Sequence, residues 1–145
     1  MARTFTSGSS TWIYNSSGAP FTGPPFTISV WMYPTSEVFN TLISVGTGGS
    51  NDNRQTLGLR TTVAGGANVI AQTRTTTNAN AYSTTAYTTN KWQHACGVWA
   101  SSSSRAAYLD GGGKGTDTTN LGPSAPNQTY IGNNLGLGAN GFQNS

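Results

Sequence analysis

Alternation with a period of two residues, interrupted every few residues by Gly, Pro, Asn or Ser, constrains this chain more than any other feature. In FTISVWM, Phe26, Ile28, Val30 and Met32 share one face, and Thr27, Ser29 and Trp31 the other. Pro24, Pro25 and Pro34 bracket the run and set its length at one strand. TLISV (41–45), QTLGLR (55–60), NVIAQTR (68–74) and AYSTTAY (81–87) read as further strands. WQHACGVWA (92–100) places Trp92, His94, Cys96 and Val98 on one face and Gln93, Ala95, Gly97 and Trp99 on the other. Both faces are fairly apolar, which predicts a central strand buried on both sides. SSSS (101–104) then forms an exposed hairpin loop, AAYL (106–109) returns as the partner strand, and DGGGKG (110–115) is a turn. Asp-Gly is a strong turn signal because Gly tolerates positive φ. TFT (4–6) and TWIY (11–14) supply two short strands near the start, and QTYIG (128–132) the last one. About nine or ten short strands at roughly 8–12-residue spacing predict an all-β sandwich or barrel.

The length of 145 residues fits a single domain, 1–145, and suffices to close a core without metal or disulfide staples. Hydrophobic residues are 34% and charged residues only 8% of the chain. Gly, Ser, Thr and Asn fill the difference, and these favour turns and strands. The net charge of +3 reflects a shortage of acids. Arg54, Arg60, Arg74, Lys91, Arg105 and Lys114 are scattered, with no two adjacent, whereas nucleic-acid binding needs a dense basic stripe. No nucleic-acid partner is expected. Cys96 is alone and forms no internal disulfide. The start, MARTFTSGSSTWIYNSSG, lacks the apolar region of a secretory signal peptide, and no apolar run approaches the ~20 residues of a membrane span. Membrane insertion is not expected. Sequons at Asn15 and Asn127 are what chance produces in so Asn-, Ser- and Thr-rich a chain.

Chemistry-bearing residues are few. Glycoside hydrolysis needs two carboxylates flanking one bond, ~5–9 Å apart. The acids are Glu37, Asp52, Asp110 and Asp117, no two within one strand, and Asp110 belongs to turn geometry. A Ser-His-Asp triad would need His94 as base, but no G-x-S-x-G elbow is present. His94 and Cys96 share a strand face and read as packed side chains, since a buried Cys without a cationic neighbour is inert. Zinc would need three or four Cys, His or carboxylate ligands, which the chain does not supply. No catalytic residue and no enzymatic activity are expected.

FTISVWMYP, NKWQHACGVW, RAAYLDGG and TYIG follow, in order, the pattern of LamG-like domains, and on them the chain resembles that family. LamG-like domains are jelly rolls of the concanavalin A-like lectin/glucanase superfamily. The matching positions are Phe26, Ile28, Trp31, Pro34, Trp92, His94, Ala95, Val98, Tyr108, Asp110, Gly111, Ile131 and Gly132. The resemblance runs from Arg3 to Phe142 and implies a jelly-roll β-sandwich of two antiparallel sheets. It departs at the end: GANGFQNS stops where the family continues into a further strand, so either the sequence is a portion of a longer protein or the domain lacks that strand and a neighbouring chain fills an open sheet edge. The short form beginning MARTF also looks like variants from tailed-phage genomes.

The resemblance implies two classes of non-enzymatic function. One is a structural or adhesion component of a virion surface, or of an extracellular assembly, that packs against identical or neighbouring subunits. The low charge and open edge favour this class. The other is a lectin-like module recognising cell-surface glycans. Sugar faces need aromatic platforms: Trp12, Tyr82 and Tyr87 are the rings expected at the surface, with Trp31, Trp92 and Trp99 mostly in the core. Asn51 and Asn53 supply amides for hydrogen bonding. Many relatives of this type hold calcium at a loop rim, and Asp52 between those two Asn residues is the one place for it. Calcium wants six to eight oxygens, so a single carboxylate makes a weak site, and a solvated turn is the simpler reading.

Overall fold

The computed structural model describes residues 13–37, 39–48, 52–63, 66–123 and 125–132. Ten strands occur among them: β1 (Ile13–Asn15), β2 (Phe26–Met32), β3 (Asn40–Gly46), β4 (Arg54–Val63), β5 (Gly66–Arg74), β6 (Asn78–Ala86), β7 (Gln93–Ser101), β8 (Ser104–Leu109), β9 (Gly112–Asp117) and β10 (Gln128–Ile131). They form two antiparallel sheets, a six-stranded one in the order β1-β10-β3-β4-β5-β6 and a four-stranded one in the order β2-β7-β8-β9. This is the expected jelly-roll sandwich. No helix of the described residues is long and apolar enough to cross a membrane.

Every strand read from alternation among the described residues is present. The TFT segment lies outside them. The stretch read as the DGGGKG turn holds more: Asp110 and Gly111 turn with φ of 51° and 73°, but Gly112–Asp117 then pairs with β8 as β9. Glycine hid this strand from a propensity argument, and close approach explains the glycine. A Cβ on Gly115 would lie 1.6 Å from the Tyr82 carbonyl oxygen of β6. The edges of the two sheets thus meet backbone to backbone.

The core lies between the sheets. Leu42, Val45, Leu57, Leu59, Val69, Ala71 and Ala81 face inward from the six-stranded sheet, and Ile28, Met32, Ala95, Trp99, Ala107 and Leu109 from the other. Trp99 is the largest fully buried side chain. Its ring stacks on Phe26 at 4.9 Å, Phe26 stacks on Phe21 at 3.8 Å, and its indole N–H donates to Thr73 Oγ1 of the opposite sheet at 3.0 Å. Gly97 makes room for it, because a Cβ there would come within 2.7 Å of the Trp99 ring.

One face of β7 is core, but the other is not, which corrects the expectation of burial on both sides. Among the described residues only one face of the four-stranded sheet is covered, so Gln93, Ala95, Gly97 and Trp99 are buried while His94, Cys96 and Val98 are half-exposed on the outside. Arg105 of β8 is the opposite surprise, a fully buried guanidinium. Its Nη1 donates to Asp117 Oδ1, and its Nη2 to the carbonyls of Ser102 at 2.7 Å and Thr119 at 3.0 Å. Paired in this way, the charge ties the β7–β8 loop to the chain leaving β9.

Candidate functional site

The W-x-H and Y-x-D-G motifs meet in space. Beyond turning the chain, the Asp110 carboxylate accepts the His94 backbone N–H at 2.7 Å and the Gln93 Nε2–H at 3.3 Å, while the Asp110 N–H donates to the His94 carbonyl at 2.8 Å. Gln93 Oε1 in turn accepts the Thr88 N–H at 2.7 Å. The hairpin is thereby pinned to the start of β7. The donated His94 N–H holds the Asp110 carboxyl below its ordinary range. A depressed carboxylate contributes stability above its unfolded-state pKa, and that contribution fades as pH falls through the folded value. Asp110→Asn keeps a residue that tolerates positive φ and removes the charge. It should cost about 0.5–1 kcal/mol at neutral pH, given its exposure to solvent. It should also flatten the loss of stability below about pH 4. Urea denaturation at a series of pH values measures both.

That pinned end carries an aromatic face. Trp31 stands opposite His94 across the β2–β7 pair, and the next pair along is Met32 with Gln93, so Tyr33 emerges beside Trp92. The Trp31 and His94 rings are 5.4 Å apart at 55°, and the Tyr33 and Trp92 rings 5.6 Å apart at 57°. Trp31 is 65% exposed, Trp92 51% and Tyr33 46%. The Asn90 N–H donates to the Pro34 carbonyl at 2.7 Å, closing the far side of the quartet. Three exposed rings, Trp31, Tyr33 and Trp92, and the half-buried His94 ring are therefore gathered where β2 ends and β7 begins. Cys96 lies deeper on the same surface, in the row Ser29–Cys96–Tyr108. Burial pushes its thiol pKa up, the reverse of what an activated nucleophile requires.

The outer face of the six-stranded sheet is polar. Tyr130, Ser44, Thr56, Gln72 and Asn80 occupy successive register positions across β10, β3, β4, β5 and β6. Ser44 and Thr56 hydroxyl oxygens are 3.4 Å apart, and Gln72 Nε2 donates to Asn80 Oδ1 at 2.9 Å. In the next row Arg54 stands opposite Arg74. Arg74 Nε donates to Asp52 Oδ1 at 2.9 Å. Arg54 is buried, and desolvation, with repulsion from Arg74 next, lowers its pKa to about 10.

The residues expected to bind ligand are dispersed. Trp12 and Asn51 lie outside the described residues. Tyr82 is half-buried on the polar face, opposite Ile70. Tyr87 is in the core at 3% exposure, which corrects its expected place at the surface. The two tyrosines are five positions apart, and an odd spacing sends them to opposite faces of a strand. Trp31 and Trp92, expected mostly in the core, are at the surface, because their shared side of the four-stranded sheet has nothing packed on it among the described residues. Asn53 adopts φ of 58° in the turn before β4. Asp52 gives its Oδ1 to Arg74, and no group of three or more His, Cys, Asp or Glu gathers among the described residues. A guanidinium already bound to the single carboxylate repels a calcium ion and takes the oxygen it would need, so these residues do not fit that metal.

A family model described as the concanavalin A-like lectin/glucanases superfamily, Laminin_G_3, matches residues 7–143. The chain belongs to this family. None of the curated proteins matches it. Among solved structures, the native heptameric SAP-like pentraxin from Limulus polyphemus superposes with a TM-score of 0.71 at 21% identity, over 92% of this chain and 65% of that one. Domain 4 of AbnA, a GH43 extracellular arabinanase from Geobacillus stearothermophilus in complex with arabinotriose, gives 0.59 at 15% identity, over 82% and 56%. Domains LG4-5 of the mouse laminin α1 chain give 0.56 at 11%, over 88% and 37%. This LamG-like chain spans less than two thirds of each, and at such identities the likeness is one of fold. In the family frame the W-x-H and Y-x-D-G motifs acquire a physical role: they lock the β7 start to the β8–β9 hairpin and fix the base of the aromatic face.

Proposed function

We propose that this LamG-like domain is a non-enzymatic, lectin-like module that binds glycans on its aromatic face. The observation that carries this reading is the exposed trio Trp31, Tyr33 and Trp92, with the half-buried His94 ring 5.4 Å from Trp31, gathered at the end of β2 and the start of β7. Large aromatic surface kept in water is unfavourable unless a partner covers it. Flat rings with nearby polar groups suit the apolar faces of sugars, and the solved arabinanase domain with arabinotriose supports the use of such a sandwich for sugar. Three of the four carboxylates serve as acceptors for the chain's own groups: Asp52 for Arg74, Asp110 for β7 and Asp117 for Arg105. That arrangement supports a binding role over hydrolysis.

A second reading is that the module packs against identical or neighbouring subunits on a virion or other extracellular surface. It is supported by β2, an edge strand that carries no charged residue and bears Trp31. A glycan array with wild type, Trp31→Ala and Trp92→Ala separates the two. The lectin reading expects binding to a set of glycans that falls at least about tenfold in each variant. Silence across the array, together with a concentration-dependent oligomer that Trp31→Ala dissociates in sedimentation experiments, would replace it with the assembly reading.

A further inference from the structure

The polar face holds more positive charge than its own acids neutralise. Arg54 and Arg74 are direct cross-strand partners on β4 and β5, an arrangement in which like charges repel. Arg60 adds to that repulsion from the same strand as Arg54, its guanidinium 4.2 Å from the centre of the Phe39 ring. Asp52 is the carboxylate that acts on Arg54. The whole chain has four acids. Asp117 is committed to Arg105 and Asp110 to the β7 backbone, and Glu37, exposed between β2 and β3, is not among the charges that act on Arg54.

Asp52, bound to Arg74, is also the carboxylate that acts on Arg54, which is 3% exposed. Burying a like-charged pair beside a single counter-charge is costly, and the usual compensation is another anion. The surroundings are built and not loose. The Thr47 N–H donates to the carbonyl of Asn53, the residue before Arg54, at 3.0 Å. Gly46 lies opposite Arg54, where a Cβ would come within 2.7 Å of the arginine's own Cβ. The Arg74 and Asp52 side chains keep 29% and 38% of their surface in solvent, so the pair is reachable.

We propose that the Arg54–Arg74 pair is a binding site for an oxyanion, a carboxylate, sulfate or phosphate group, that takes its place beside Asp52 and supplies further counter-charge. Arg74, whose Nε donates to Asp52 and whose Nη1 donates to Asn78 Oδ1 at 3.4 Å, meets the ligand from the solvent side with the remaining donors of its guanidinium. Arg54 supplies the buried half of the potential. Asp52 competes with the ligand for Arg74, which makes its removal informative.

The test is calorimetric titration and thermal unfolding of the full chain with sulfate, phosphate, acetate and glucuronate, each against chloride at matched ionic strength. Wild type should bind at least one of them and unfold at a higher temperature than in chloride. The ranking identifies the group, and glucuronate against acetate tells a sugar-borne carboxylate from a bare one. Arg74→Gln should weaken binding at least tenfold. Asp52→Asn should tighten it several-fold, whereas a purely structural ion pair would lose stability and gain no affinity. Trp31→Ala, altered on the opposite sheet, should leave the anion response unchanged, so this site stands or falls apart from the glycan reading. Equal responses to all salts at matched ionic strength would overturn the proposal, as would an Asp52→Asn protein that binds no more tightly than wild type.

Discussion

Trp99→Ala should lower the unfolding free energy by about 3–5 kcal/mol, enough to leave a domain of this size barely folded. The indole fills the middle of the sandwich at 1% exposure. It stacks on Phe26 of its own sheet and donates to Thr73 Oγ1 of the other. Truncation therefore removes apolar burial, a ring stack and the hydrogen bond that joins the sheets, and Gly97 beside it offers no side chain to collapse into the space. Trp99→Phe separates these contributions. It preserves a stacked ring, leaves a smaller void and takes the indole donor from Thr73. The expected cost is roughly 1–3 kcal/mol. Denaturant unfolding followed by near-ultraviolet circular dichroism reads both variants, and a Trp99→Ala protein within about 1 kcal/mol of wild type would contradict this account of the core.

Gly115→Val should be comparably damaging for the opposite reason, an excess of atoms. Even a Cβ at this position would stand 1.6 Å from the Tyr82 carbonyl oxygen and 2.7 Å from the carbonyl carbon. Both are backbone atoms, so no rotamer relieves the clash. β9 would have to separate from β6, opening the seam between the sheets and costing about 3 kcal/mol or more. Gly122→Ala is the matched control. Its nearest neighbour is a Ser102 side chain at 3.4 Å, an ordinary contact, and it should be near neutral. Thermal unfolding of the two proteins side by side gives the comparison, and equal midpoints would show that the seam yields without cost.

The sandwich was legible because strand faces are written locally. Ile28 and Met32 alternate with Thr27 and Ser29, and the same residues alternate between core and water in the fold. The Asp-Gly turn was legible for the same reason, since positive φ is a property of one or two residues. β9 was not legible, because its glycines answer to the backbone of β6, some thirty positions earlier in the chain. Tyr87 illustrates a different limit. Its spacing from Tyr82 already placed the two on opposite faces, but which face met the core depended on how β5 and β6 paired.

The candidate site was less legible than the fold. Trp31 and Trp92 carry the alternation of a buried strand, and composition alone does not tell an inward tryptophan from an outward one. The decision lies in which side of the four-stranded sheet the other sheet covers. Arg105 makes the same point in reverse: nothing local separates it from the scattered surface cations, and only the convergence of Asp117, Ser102 and Thr119 makes its burial tolerable.

By itself, then, the sequence determined that the chain forms short antiparallel strands, where most of them begin and end, and which residues of each share a face, because period-two alternation and turn residues act over a few positions. Only the tertiary structure decided which face is core, where the sheets touch, and that Arg54 and Arg74 stand together while Trp31, Tyr33 and Trp92 are left in water. These depend on strand pairing and sheet stacking between residues far apart in the chain, and no local pattern encodes them.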